Sequence, residues 1–200
     1  MPSQADQLLQ AGRLRVRFTW HGDRYAHEIS LLRDGAWDCV LKSVEGTPDD
    51  AWPASPPLQS LHVEPRGDGR QVALLVGMAG KCHWSASVEL DAAGEQARFE
   101  VACRVLATVR GELQSCYEVP SAGIDSLVTF EDGFVLIDDA YDDAQVGARI
   151  ELDPQLADGR LWRPDPTKIV AGPAIAAAES AQTVRWAYVA RAVDSRSRQS

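Results

Sequence analysis

Cysteine is scarce in this chain, and Cys39, Cys82, Cys103 and Cys116 stand at wide, irregular intervals with no Cys-x-x-Cys pair. That spacing excludes a zinc knuckle and a dense disulfide framework, and free thiols in a reducing compartment are the expectation. Long apolar runs are lacking as well. The longest nearly apolar stretch, Val72 to Gly80, falls far short of the roughly 20 residues that cross a bilayer as a helix. Met1 to Gln7 carries neither the basic patch nor the apolar run of a secretory signal, so a soluble cytoplasmic protein with no membrane partner is expected. Basic charge is in deficit, 20 Lys and Arg against 29 Asp and Glu for a net charge of -9. Such a balance repels phosphate backbones and removes nucleic acid from the expected partners. The one basic cluster, Arg191, Arg196 and Arg198, falls in a Ser/Arg/Gln end read as a flexible tail over 194–200. Neither a Gly-x-Ser-x-Gly elbow nor a Gly-rich loop before a lysine occurs, which sets aside hydrolase-fold esterase chemistry and ATP-dependent chemistry.

What the sequence does contain is alternation with period two. Leu14, Val16, Phe18 and Trp20 fall on one face of a strand, and Arg13, Arg15, Arg17 and Thr19 fall on the other. After the turn residues His21-Gly22-Asp23, an inward face resumes with Tyr25, His27, Ile29 and Leu31. Asp34-Gly35 is a hairpin signal leading to Trp37, Cys39 and Leu41, expected on the inner face of the next strand. Asp-Gly recurs at 68–69, 132–133 and 158–159 between apolar or alternating runs. Further strands are expected over 58–64, 71–77, 82–90, 96–106, 112–119, 127–130, 134–137, 148–152, 168–171 and 183–193, with a bend or bulge at Gly77 to Lys81. Only Ser3 to Leu9 and Ala174 to Ala181 allow a helix. The chain therefore reads as one domain over 1–200, all-β, a large antiparallel β-sandwich with little helix. Thr47 to Pro57, with four prolines in eleven residues, is a stiff loop that joins no ladder. Its Trp52 is read either as a stacking platform for a ligand or as packing across the end of the sandwich.

Titratable groups gather in two segments, Pro56 to Glu64 and Lys81 to Glu89. Residues two apart on a strand share a face, so Ser60, His62 and Glu64 point together, as do His83, Ser85, Ser87 and Glu89. Trp84, Ala86, Val88 and Leu90 form the face to bury. Arg98, Glu100 and Arg104 continue the polar side on the next strand. If these strands are neighbours, one polar surface results. Its hydroxyls, carboxylates and guanidinium groups suit ligand hydroxyls, with Trp52, Ser85, Ser87 and Arg104 as binding residues. Histidine titrates near neutrality, so His62 and His83 are the candidate proton-exchanging groups, with Glu64 and Glu89 as their orienting carboxylates. The competing account is an ordinary half-solvated sheet face.

Asp138-Asp139-Ala140-Tyr141-Asp142-Asp143 packs four carboxylates into six residues but lacks the glycine and terminal glutamate of an EF-hand loop. It reads as a solvated loop tip, and no metal or other cofactor is expected. A strand-rich chain with a stiff Trp/Pro loop and histidines and glutamates on a sheet face resembles the large β-sandwiches of the galactose-mutarotase type. That resemblance implies a carbohydrate ligand and, in an enzyme, histidines and a carboxylate acting as acid and base on a sugar hemiacetal. No residue carries over from it. Three functions remain open. They are a binding protein for a carbohydrate or similar polyhydroxylated ligand, a cofactor-free sugar isomerase or epimerase, and a protein-interaction module that forms a homodimer.

Overall fold

The computed structural model describes residues 5–67, 70–91, 93, 95–106, 112–120, 126–131, 133–139, 146–152, 159–173 and 181–194. The strands are β1 (Gln7–Ala11), β2 (Leu14–Trp20), β3 (Tyr25–Arg33), β4 (Ala36–Ser43), β5 (Leu58–Pro65), β6 (Gln71–Ala79), β7 (Cys82–Asp91) and β8 (Gln96–Val105). They continue with β9 (Ser115–Glu118), β10 (Ser126–Glu131), β11 (Phe134–Asp139), β12 (Val146–Leu152), β13 (Gly159–Trp162), β14 (Lys168–Pro173) and β15 (Gln182–Asp194). Among the described residues there is no helix, and every strand pairing is antiparallel.

The strands form a seven-stranded sheet, β1-β2-β3-β4-β9-β14-β13, and an eight-stranded sheet, β10-β11-β12-β15-β8-β7-β6-β5. Their inner faces close on one core. Leu14, Val16, Phe18, Ile29 and Leu31 from the first sheet and Trp84, Phe99, Trp186 and Tyr188 from the second are all buried in it. Trp84 and Trp186 meet edge to face at 6.1 Å, and Phe99 stacks on Tyr188 at 4.8 Å. Paired aromatic rings of this kind add about 0.5–1.5 kcal/mol beyond the area they bury. All four cysteines are free, and Cys82, Cys103 and Cys116 are buried.

Two local features differ from the sequence pattern. The segment that allowed a helix at Ser3 to Leu9 supplies strand β1 instead. Leu9 is fully buried while Gln10 beside it is exposed, and β1 pairs with β2 from Gln7↔Phe18 to Ala11↔Leu14. A segment of this length is too short to hold a helix alone, so the tertiary ladder decides. The second helix candidate lies largely outside the described residues. In β4, Ile29 pairs Leu41 and Ser30 pairs Cys39, so Val40 is an inserted bulge residue. The bulge shifts the phase: Leu41 keeps the core face, while Trp37 turns outward, where the Arg15 guanidinium sits 4.4 Å above its ring. Asp34 and Gly35 both have positive φ, +48° and +80°, as a tight two-residue hairpin requires.

The sheets are clasped at one end by Arg13. Its guanidinium donates to the Glu95 carboxylate at 2.6 and 2.8 Å and to Asp194 at 2.7 Å, tying the β1–β2 turn to the ends of β8 and β15. The Arg13 hydrogen bonds hold the Glu95 carboxyl below the usual carboxylate range. A Cβ at Gly12, whose φ is +54°, would fall 2.3 Å from Glu95 Oε1.

Candidate functional site

Directly paired residues share a face, so the outer surface of the eight-stranded sheet follows from its registers. One row across the strands runs Met78, His83, Arg104, Thr183, and the next runs Ser60, Val76, Ser85, Ala102, Arg185. Beyond these come His62, Leu74, Ser87, Glu100, Ala187 and then Glu64, Val72, Glu89, Arg98, Val189. The two histidine strands do share a face. They are not neighbours, because β6 lies between β5 and β7. His62 and His83 are two strands and four residues apart, roughly 16 Å by strand spacing and rise.

Each titratable group is occupied locally or stands in solvent. His62 lies 3.5 Å from Glu64, with side chains 72% and 42% exposed, a pairing too solvated to contribute much. Glu89 is bound by Arg70, and Arg98 holds Glu100 at 2.7 Å. No carboxylate lies within ion-pair distance of His83 among the described residues. Between the polar columns β6 exposes Leu74 (39%), Val76 (54%) and Met78 (49%). The face is a polar surface split by an apolar stripe.

Over the first two rows lies a groove of about 520 Å³, lined by Ser60, Val76, Met78, His83, Ser85 and Arg104, with Ala102 and Thr183 alongside. A second groove of about 540 Å³ shares Val76, Ser85 and Ala102 with it and reaches Ser87, Arg98, Glu100 and Arg185. The local sequence shapes this end of the sheet. Gly80, with φ +55°, turns β6 into β7. Leu58 pairs Gly77 while Ser60 pairs Val76, so Gln59 is a bulge residue, and its amide accepts from Met78 N–H at 3.1 Å and donates to Met78 C=O at 3.3 Å. Gly77 admits no substitute, since a Cβ there would lie 1.8 Å from the Pro57 carbonyl oxygen.

Trp52 is half-buried and packs against the core, and it is not among the residues lining either groove. The acidic run from Asp138 ends β11 with Asp138 and Asp139, and its remaining residues lie outside those described. Among the described residues no three His, Cys, Asp or Glu side chains stand together to hold a metal ion.

A buried network of titratable side chains lies elsewhere, in the interior behind the seven-stranded sheet. His27 Nε2 is 2.7 Å from Tyr117 Oη, which is 2.5 Å from Tyr188 Oη. Ser115 Oγ accepts from the Trp186 indole N–H at 3.2 Å. The His27 amide donates to Ser43 Oγ at 2.8 Å, and the Ser43 hydroxyl donates to Glu45 Oε1 at 2.6 Å. Desolvation pushes the His27 imidazole down to about 4, the Tyr188 phenol up to about 12, and the Glu45 carboxyl up to about 7. Ser43 and Glu45 also border a groove of about 500 Å³ that includes His21, Lys42 and Glu118. Sequence reasoning passed over this network, although a signal was present. Leu41, Ser43 and Glu45 continue the inward phase of β4, which puts polar side chains in core positions.

The chain matches no protein-family model and no curated protein. Among solved structures it is similar to a human-microbiome protein proposed to be a kojibiose phosphorylase, at 7% identity and a TM-score of 0.41. The match covers 96% of this chain and 34% of that one, so the chain spans about a third of that protein's length. A likeness at this level places the chain in no family.

Proposed function

We propose that the protein binds a carbohydrate or similar polyhydroxylated ligand, without turning it over, in the groove over β5, β6, β7, β8 and β15. The observation that carries this reading is the pair of rows that surrounds an apolar floor of Val76, Met78 and Ala102 with Ser60, His83, Ser85, Arg104 and Thr183. Hydroxyl and guanidinium groups at the rim pair with ligand hydroxyls, and the floor takes the C–H face of a pyranose ring. Binding rather than isomerisation fits the spacing. Proton transfer needs an acid and a base within hydrogen-bond reach of one substrate, and His62 and His83 are too far apart to serve one hemiacetal.

A thermal-shift panel of neutral sugars and sugar acids tests the reading. A ligand at 100 times its dissociation constant adds about 2.7 kcal/mol of stability, equivalent to a rise of roughly 5–10 °C at this chain length. The Ser85→Ala/Thr183→Ala variant, altered only at exposed positions, keeps its own melting temperature and loses that rise. Absence of any sugar-induced rise, or an equal rise in the variant, overturns the proposal.

One observation favours a second reading. Leu74, Val76 and Met78 form an exposed apolar stripe along β6, and two copies that bury it against each other form a dimer. Light scattering across a concentration series separates the two readings, because a Val76→Lys variant abolishes a dimer of that kind.

A further inference from the structure

Charge is distributed differently on the two outer faces. Across the seven-stranded sheet, Arg17, Glu28, Lys42, Glu118 and Lys168 are directly paired in sequence, so each charge faces its opposite on the neighbouring strand. The eight-stranded sheet is not closed in this way. Arg104 and Arg185 are both exposed, and among the described residues neither has a carboxylate within ion-pair distance. Arg104 is paired with Thr183 on β15, so Arg185 stands at the diagonal position, about 7–8 Å away. His83 is directly opposite Arg104 on the other side. The carboxylate diagonal to Arg185 belongs to Glu100, which is already held by Arg98 at 2.7 Å.

Two unpaired guanidinium groups at neighbouring positions repel each other unless an anion lies between them. In a chain of net charge -9, their concentration beside a groove is a local reversal of the overall field. Guanidinium presents a planar fork that matches a carboxylate in two parallel hydrogen bonds. Along the row from Val76, Ser85 and Ala102 lead to Arg185, and in the next row His83 stands between Met78 and Arg104, so a sugar ring over Val76 directs a substituent on its edge toward both arginines.

We infer that the ligand of this groove is an acidic carbohydrate, a uronate whose carboxylate is gripped by Arg104 and Arg185 while Ser60, Ser85 and Thr183 take its hydroxyls. The inference rests on the carbohydrate-binding reading above.

Binding of the full chain to an array of neutral, uronate-containing and sulfated oligosaccharides tests it. The expected result is binding confined to uronate-containing oligosaccharides, weakened by 0.5 M salt and reduced about tenfold or more in Arg104→Gln and in Arg185→Gln. Both positions are exposed, and unchanged melting temperatures show that the variants are folded. Binding to neutral oligosaccharides with equal strength overturns the acidic ligand and leaves the groove reading standing. Binding to sulfated oligosaccharides alone overturns the carboxylate. A folded protein that binds nothing on the array overturns the groove reading and this inference together.

Discussion

Histidine occurs in two settings in this protein, and they have little in common. His62 and His83 stand on the open face of the eight-stranded sheet, both exposed, one beside a solvated glutamate and the other beside an arginine. His27 is enclosed between Phe18, Phe99 and Tyr117 at ring separations of 5.3–5.8 Å and is 8% exposed. The open face leaves both imidazoles within reach of a ligand. The interior desolvates His27 and lowers its pKa, and only a small part of the residue reaches the groove beside Ser43 and Glu45. Residue type alone does not separate a binding surface from a structural network, and depth does.

Substitution breaks the comparison most directly. His27→Ala removes a buried ring and one partner of the Tyr117 hydroxyl, and the expected cost is about 3 kcal/mol or more in urea unfolding. His62→Ala and His83→Ala are expected to stay within about 0.5 kcal/mol of wild type. A loss at His83 as large as that at His27 contradicts the division between the two regions.

The pH dependence of stability sharpens the comparison on the interior side. Glu45 is raised by burial from 4.5 to about 7, so the folded protein keeps a proton there that the unfolded chain releases. The stability from this group is complete below about 4.5 and is lost as pH rises to about 7. His27 is lowered by burial from 6.5 to about 4, so the folded protein refuses a proton that the unfolded chain takes. Its contribution is complete above about 6.5 and is lost as pH falls to about 4. Each effect is about 3 kcal/mol at full extent, and between pH 4.5 and 6.5 they oppose. Wild type is therefore expected to show nearly flat stability in that interval. Glu45→Gln removes one term, and its stability climbs by about 3 kcal/mol as pH rises from 4 to 6.5. A variant as flat as wild type contradicts the shift at Glu45.

Much of the fold was legible in the chain. The alternation of Leu14, Val16 and Phe18 appears in the structure as three side chains no more than 1% exposed. His27 shares their inward face, and the expected strands of the eight-stranded sheet from 58 to 105 lie within a residue or two of β5 to β8. What was not legible depends on partners. The inserted Val40 appears only when β4 is set against β3, and it sends Trp37 outward. Val72 to Gly80 reads as a continuous apolar run, yet the sheet exposes Leu74, Val76 and Met78 and buries Ala73 and Leu75. Period two placed Ser60, His62 and Glu64 together and His83, Ser85, Ser87 and Glu89 together, while whether the two segments share one face was left to strand order. Their separation by β6 is a property of strand order, which a hairpin pattern leaves open. Glu45 follows the inward phase of β4, but its depth is set by the loop that follows, tied down where Arg24 donates to the Thr47 carbonyl at 2.9 Å.

The most direct test places a ligand on one region or the other. Backbone amide resonances of the protein, followed while tetragalacturonate is titrated in, should move at Val76, His83, Ser85, Ala102 and Arg104 and stay still at His27, Ser43, Glu45 and Tyr117. Shifts centred on Ser43 and Glu45, or none at the open face, would contradict the account.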